Sequence, residues 1–95
     1  MNRAQARIIV AGRVQGVFYR HSTRQTARDL EISGWVKNLP DGSVEILADG
    51  PEHAVKKLIE WCHKGPPNAV VNNVSVEWET DYNGKGTTDG VFQIL

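Results

Sequence analysis

The chain has 95 residues, the size of one domain with a real but modest core. Lys plus Arg and Asp plus Glu both number 11, so the formal charge is zero, which speaks against a general nucleic-acid or anionic-membrane surface but leaves room for a local site for one anion. The single cysteine, Cys62, excludes an internal disulfide framework and a multi-cysteine metal site; with no apolar run of signal-peptide type or bilayer length, a soluble cytoplasmic protein is expected.

Ala6, Ile8 and Val10 alternate with Arg7, Ile9 and Ala11, which predicts a strand ending near Gly12. From Tyr19 to Leu30 the spacing turns helical: Tyr19, Thr23, Thr26, Ala27 and Leu30 share a weakly apolar face, and Arg20, Arg24 and Arg28 share another. Ile32 to Asn38 alternates again, Ile32, Gly34 and Val36 against Ser33, Trp35 and Lys37, a second strand. Asp41-Gly42 is a hairpin signal, and Val44, Ile46 and Ala48 continue as a third strand that Gly50-Pro51 is expected to break.

Pro51 suits a helix start. Val55, Leu58, Ile59 and Cys62 form a stripe at i, i+3, i+4 and i+7, predicting a helix over Glu52 to His63 that Gly65-Pro66-Pro67 stops. Val70 to Glu79 reads as a fourth strand with Val74, Val76 and Trp78 on one face. Tyr82 to Gly90 is polar and glycine-rich and is expected to be a mobile loop; Val91 to Leu95 closes the chain as a short strand with Phe92 and Ile94 inward.

The order βαββαβ plus a final strand predicts an α+β, ferredoxin-like sandwich: an antiparallel sheet with both helices on one face. In that topology strands one and two run parallel with strand three between them. Their C-terminal ends share one edge of the sheet, which brings the loop after strand one beside Asn38.

That loop carries the chemistry. Gly12 to Arg20 joins a strand to a helix start through a glycine-containing turn, where loop and first-turn N–H groups lack intrahelical partners and the helix dipole favours negative charge. Arg20 adds a planar, permanently charged fork suited to phosphate oxygens. Taken alone, Arg20 belongs to a solvated arginine stripe and Asn38 is a turn-former; the surrounding motifs favour function for both. Arg24, Arg28 and Arg13 remain surface residues, Cys62 a core residue, and His21, His53 and His63 have no metal-ligand spacing. Trp35 is left open between packing and a partner surface.

The stretch Gly12-Arg13-Val14-Gln15-Gly16-Val17-Phe18-Tyr19-Arg20, followed by Gly34-Trp35-Val36-Lys37-Asn38 and Asp41-Gly42-Ser43-Val44-Glu45, resembles the two signatures of the acylphosphatase family. Gly65-Pro66-Pro67, the valine-rich strand after it and Phe92-Gln93-Ile94 fit the same pattern, so the resemblance runs over nearly all of the chain as one domain, residues 1–95. Tyr19 departs mildly, standing where phenylalanine is commoner, and its hydroxyl needs a partner. The resemblance implies hydrolysis of acyl phosphates to a carboxylate and inorganic phosphate, without metal or cofactor. It implies Arg20 as the phosphate-binding arginine and Asn38 as the water-positioning asparagine. The backbone N–H groups of Gln15, Gly16, Val17, Phe18, Tyr19 and Arg20 form the expected cradle for the phosphoryl oxygens. The expected partner is a small acyl phosphate, with neither nucleic acid nor membrane, and a monomer.

A non-catalytic anion or small-ligand binding module on the same fold is the competing reading. It has no need of a water-orienting amide opposite the cradle. An RNA-binding ferredoxin-like domain needs exposed aromatics on the central strands, which the first and third strands lack. A domain fused to a carbamoyl-transfer enzyme resembles this chain too, but the single-domain length argues against it.

Overall fold

The long alternating segment at the start forms β1 (Arg3–Arg13) in the computed structural model, which describes residues 3–79 and 91–95. Then follow α1 (Tyr19–Asp29), β2 (Ser33–Asn38), β3 (Val44–Pro51), α2 (Glu52–Lys64), β4 (Val70–Trp78) and β5 (Phe92–Ile94). The segment expected to loop over Tyr82 to Gly90 lies outside the described residues.

The five strands form one sheet in the order β4-β1-β3-β2-β5. The four strands of the ferredoxin-like frame pair antiparallel, and β5 adds to the edge parallel to β2, so the whole sheet is mixed. α1 lies over β2 and β5, and α2 lies over β1, β3 and β4. Between helices and sheet sit Ala6, Ile8 and Val10 of β1, Val36 of β2, and Val44, Ile46 and Ala48 of β3, all with no exposed surface. Val55, Leu58 and Cys62 of α2 and Ala27 of α1 close the core from above. Period two on the strands and period 3.6 on the helices thus meet in one apolar layer. Truncating one of its large members, such as Leu58 to alanine, costs about 2–5 kcal/mol.

Three local departures from the sequence pattern have physical reasons. β3 runs through Gly50 to Pro51 instead of breaking before them. Pairing with β2 ends at Asp49, so the proline's missing N–H deprives no β2 neighbour, and Pro51 both ends the strand opposite Arg3 and precedes α2. On β4, the register slips where Ala11 faces Asn73 and Gly12 faces Val71, a bulge that leaves Asn72 extra and puts Val71 on the half-buried side with Val74 and Val76. Trp78, expected on one face with Val74 and Val76, sits at the end of this edge strand and stays 39% exposed.

The open face of the sheet is polar and cross-braced. Glu45 on β3 pairs with Arg7 of β1 at 3.3 Å and Lys37 of β2 at 3.7 Å, and the Lys37 ammonium lies 5.1 Å from the centre of the Trp35 ring. Trp35 is therefore half-buried packing on this face. Gly34 is required by close approach: a Cβ there would collide with the Leu47 carbonyl on β3, and φ is +136°.

The register positions the site. Val44, the first residue of β3, stands opposite both Val10 of β1 and Asn38 of β2. The C-terminal ends of β1 and β2 consequently flank the same end of β3, and the loop entering α1 arrives beside the β2–β3 turn.

Candidate active site

After β1, Val14 turns into the core and is 1% exposed, which pins the start of the loop. Gly16 has φ +75° and no atom near a Cβ built on it, so the loop leaves open space there. Phe18 takes a left-handed conformation, φ 65° and ψ 22°, at the N-cap of α1, and the residue is 79% exposed. No side chain caps this helix start and no acidic residue lies in its first turn. Among the described residues the first-turn N–H groups are therefore left for solvent or a ligand, and no carboxylate side chain of the first turn opposes an anion.

Tyr19 and Arg20 open the helix on opposite errands. The Tyr19 ring is buried, tilted against Trp61 with centroids 5.3 Å apart, and its hydroxyl donates to the Cys62 carbonyl at 2.7 Å. The phenol thus points into the α2 end and adds no polarity to the site. Arg20 points the other way, and one guanidinium N–H donates to the backbone oxygen of Leu95 at 3.0 Å. That contact, just beyond β5, orients the side chain while using one of its five donors.

Asn38 ends β2. Its side-chain oxygen Oδ1 is buried and has no hydrogen-bond partner among the described residues. A buried acceptor without a donor costs about 1–3 kcal/mol, a deficit that a water or substrate group can relieve. A cleft of about 290 Å³ joins these parts: its walls include Gly16, Phe18, Tyr19, Arg20, His21 and Asn38, with Val14 and Ile94 as the apolar floor.

The two remaining members of the expected cradle behave differently from their neighbours. Val17 turns its side chain to the core. The Gln15 side chain reaches across to the β2–β3 turn, where Nε2 donates to the Leu39 and Ser43 carbonyls, each at 2.9 Å. Sequence periodicity carries no signal for this contact, because it joins residues 24 and 28 positions apart. The turn itself is ordered by Asp41, whose carboxylate accepts from the Ser43 N–H at 3.0 Å and the Ser43 hydroxyl at 2.5 Å; these bonds hold its pKa below the usual carboxylate value. His21 stands exposed at the cleft, whereas Arg28 and Arg13 point to solvent.

The fold defines the class: a small ferredoxin-like α+β domain in which two loops meet over one end of the sheet. Within that class the chain belongs to the acylphosphatase family of hydrolases, whose family model, described as Acylphosphatase, matches residues 6–93. It is 48% identical over 85 residues to the acylphosphatase of Pelotomaculum thermopropionicum, covering 90% of this chain and 91% of that one. It is 45% identical to the acylphosphatase of Chloroflexus aurantiacus over 95 residues, 100% of this chain and 99% of the other. The solved acylphosphatase of Coxiella burnetii superposes with a TM-score of 0.87 at 39% identity, covering 99% of this chain and 94% of that one.

Proposed function

We propose that this protein hydrolyses acyl phosphates, mixed carboxylic–phosphoric anhydrides, by direct attack of an oriented water on phosphorus. One observation carries the reading: Asn38, whose buried Oδ1 has no hydrogen-bond partner among the described residues, lines the same cleft as Arg20 and the uncapped start of α1.

Phosphoryl transfer proceeds through a loose transition state, so positioning and electrostatics supply most of the catalysis. The phosphoryl group lies at the helix start. Its oxygens accept from the backbone N–H groups of Gln15, Gly16, Val17, Phe18, Tyr19 and Arg20 and from the Arg20 guanidinium. The α1 dipole favours the negative charge there, and Arg20 balances it in the transition state. Asn38 Oδ1 accepts one O–H of a water and thereby turns a water lone pair toward phosphorus.

The P–O bond to the acyl group breaks as the new P–O bond forms, and the carboxylate departs with the bonding pair. A carboxylate is a weak base and leaves without a strong general acid. The products are a carboxylate, inorganic phosphate and the proton released from the attacking water.

The test is hydrolysis of a simple aryl acyl phosphate with EDTA present, by the wild type, Arg20→Ala and Asn38→Ala, each checked for folding by circular dichroism. Turnover that survives EDTA and is lost in both variants supports the reading. A folded wild type that binds phosphate but does not turn over makes the protein an anion-binding module instead.

A further inference from the structure

We propose that Gln15 is a positioning residue, whose side-chain amide fixes the phosphate loop against the β2–β3 turn and so sets the placement of Asn38 relative to the bound phosphoryl group. The inference rests on the acylphosphatase reading above.

The geometry distinguishes this role from ordinary turn stabilisation. The turn already closes on itself: the Leu39 N–H donates to the Ser43 carbonyl at 2.8 Å, and the Gly42 N–H donates to the Leu39 carbonyl at 3.1 Å. Those are the same two carbonyls that receive Gln15 Nε2. A carbonyl oxygen has two lone pairs, so each accepts one bond from inside the turn and one from Gln15. Removing the Gln15 amide orphans neither carbonyl, and the Asp41–Ser43 bonds still hold the turn.

What is lost is the connection between two loops that, among the described residues, share no other side-chain hydrogen bond. One holds the phosphoryl oxygens; the other begins immediately after Asn38. Both hydrogens of one amide nitrogen are spent, which fixes position in two directions, whereas a single bond would leave a hinge. The chemistry needs this rigidity because the water and the phosphorus are held from different loops. A misplacement of about 1 Å costs roughly 10²-fold in rate even when every reacting group is retained.

A double-mutant cycle tests it, with inorganic phosphate as the binding probe. Gln15→Met keeps the length of the side chain and removes both donors. The expected result is a fall in kcat of about 10- to 100-fold, with the competitive inhibition constant of phosphate moving less than about threefold. In an Asn38→Ala background the same substitution costs less than about threefold more, because a residue acting through Asn38 has nothing left to position. A merely structural role predicts the opposite: effects on kcat that multiply, or phosphate binding that weakens in step. Either of those results overturns the proposal, and so does full activity of Gln15→Met beside a crippled Asn38→Ala. An Asn38→Ala variant that keeps wild-type activity overturns the water-positioning reading as well, which separates the two failures. Should Gln15→Met not fold, Gln15→Asn, one methylene too short to reach both carbonyls, enters the same cycle with the same expectations.

Discussion

The Tyr19 hydroxyl supplies the hydrogen bond that Pro66 cannot give to Cys62. In an α-helix the Cys62 carbonyl would accept from the N–H four residues on, and that residue is a proline with no N–H. The Tyr19 hydroxyl fills the gap at 2.7 Å, so the first residue of α1 caps the last turn of α2. Tyr19→Phe leaves that carbonyl buried and unsatisfied. A loss of about 1–3 kcal/mol follows, measurable as a lower midpoint in urea with an unchanged m-value.

The same pair makes the fold sensitive to base. Burial pushes the Cys62 thiol from its ordinary value of 9.0 up to about 12, and burial beside Cys62 raises the Tyr19 hydroxyl as well. The unfolded chain therefore loses these protons at lower pH than the folded one. Stability is fully present below the ordinary thiol value and drains away between there and about pH 12, by about 1.4 kcal/mol per pH unit for the thiol. Chemical denaturation across pH 8 to 11 measures the slope, and Cys62→Ala is expected to flatten it. An identical slope in that variant would remove Cys62 as the cause.

Asp41 acts in the other direction. Its carboxylate is held below the usual value by the Ser43 hydroxyl and N–H, so the turn's support is present above the unfolded-state value and is lost as pH falls through the acid range. Asp41→Asn weakens this bracing of the turn that follows Asn38. The expected sign is a drop in activity toward acid that begins at higher pH in the wild type than any loss of global secondary structure, and that is blunted in the variant.

Gly16 separates activity from stability. A methyl group there meets no neighbour, but φ +75° strains any L side chain by about 1 kcal/mol, and Gly16 lines the cleft. Gly16→Ala is expected to unfold within a few degrees of wild type while losing phosphate affinity. Gly34→Ala collides with backbone on β3 and is expected not to yield a folded protein, which a soluble-expression comparison shows directly.

In the proposed mechanism Arg20 meets the phosphoryl group and Asn38 the water, so the two divide the kinetic constants. Removing Arg20 withdraws charge from the phosphoryl group, so Arg20→Ala weakens phosphate inhibition and lowers the rate by at least about 10²-fold. Asn38→Ala is expected to lower kcat by a comparable factor with phosphate binding retained, since its proposed role is to orient the water. Steady-state kinetics with phosphate as competitor separates the two patterns.

Much of this was legible in the chain because it was written in short-range periods. The alternation of Ala6, Ile8 and Val10 and the stripe Val55, Leu58, Ile59 and Cys62 named the core faces, and topology alone brought Arg20 and Asn38 to one edge. What escaped has no local period. The Gln15 amide finds its acceptors across the sheet end, Pro51 is tolerated only because β2 has already stopped pairing, and the β4 bulge depends on the partner strand. Phe18 illustrates the limit most clearly: its left-handed backbone is imposed by the junction of loop and helix, and no residue-level preference of phenylalanine announces it.

β3 lends no side chain to the cleft walls among the described residues, yet it is the strand that makes the cleft. Arg20 and Asn38 both precede it, and a nascent chain ending before Val44 carries both groups with nothing to align them. Only when β3 threads between β1 and β2 do the two loops converge. Return of turnover after dilution from denaturant therefore requires that long-range docking event, and reports its completion without any optical label.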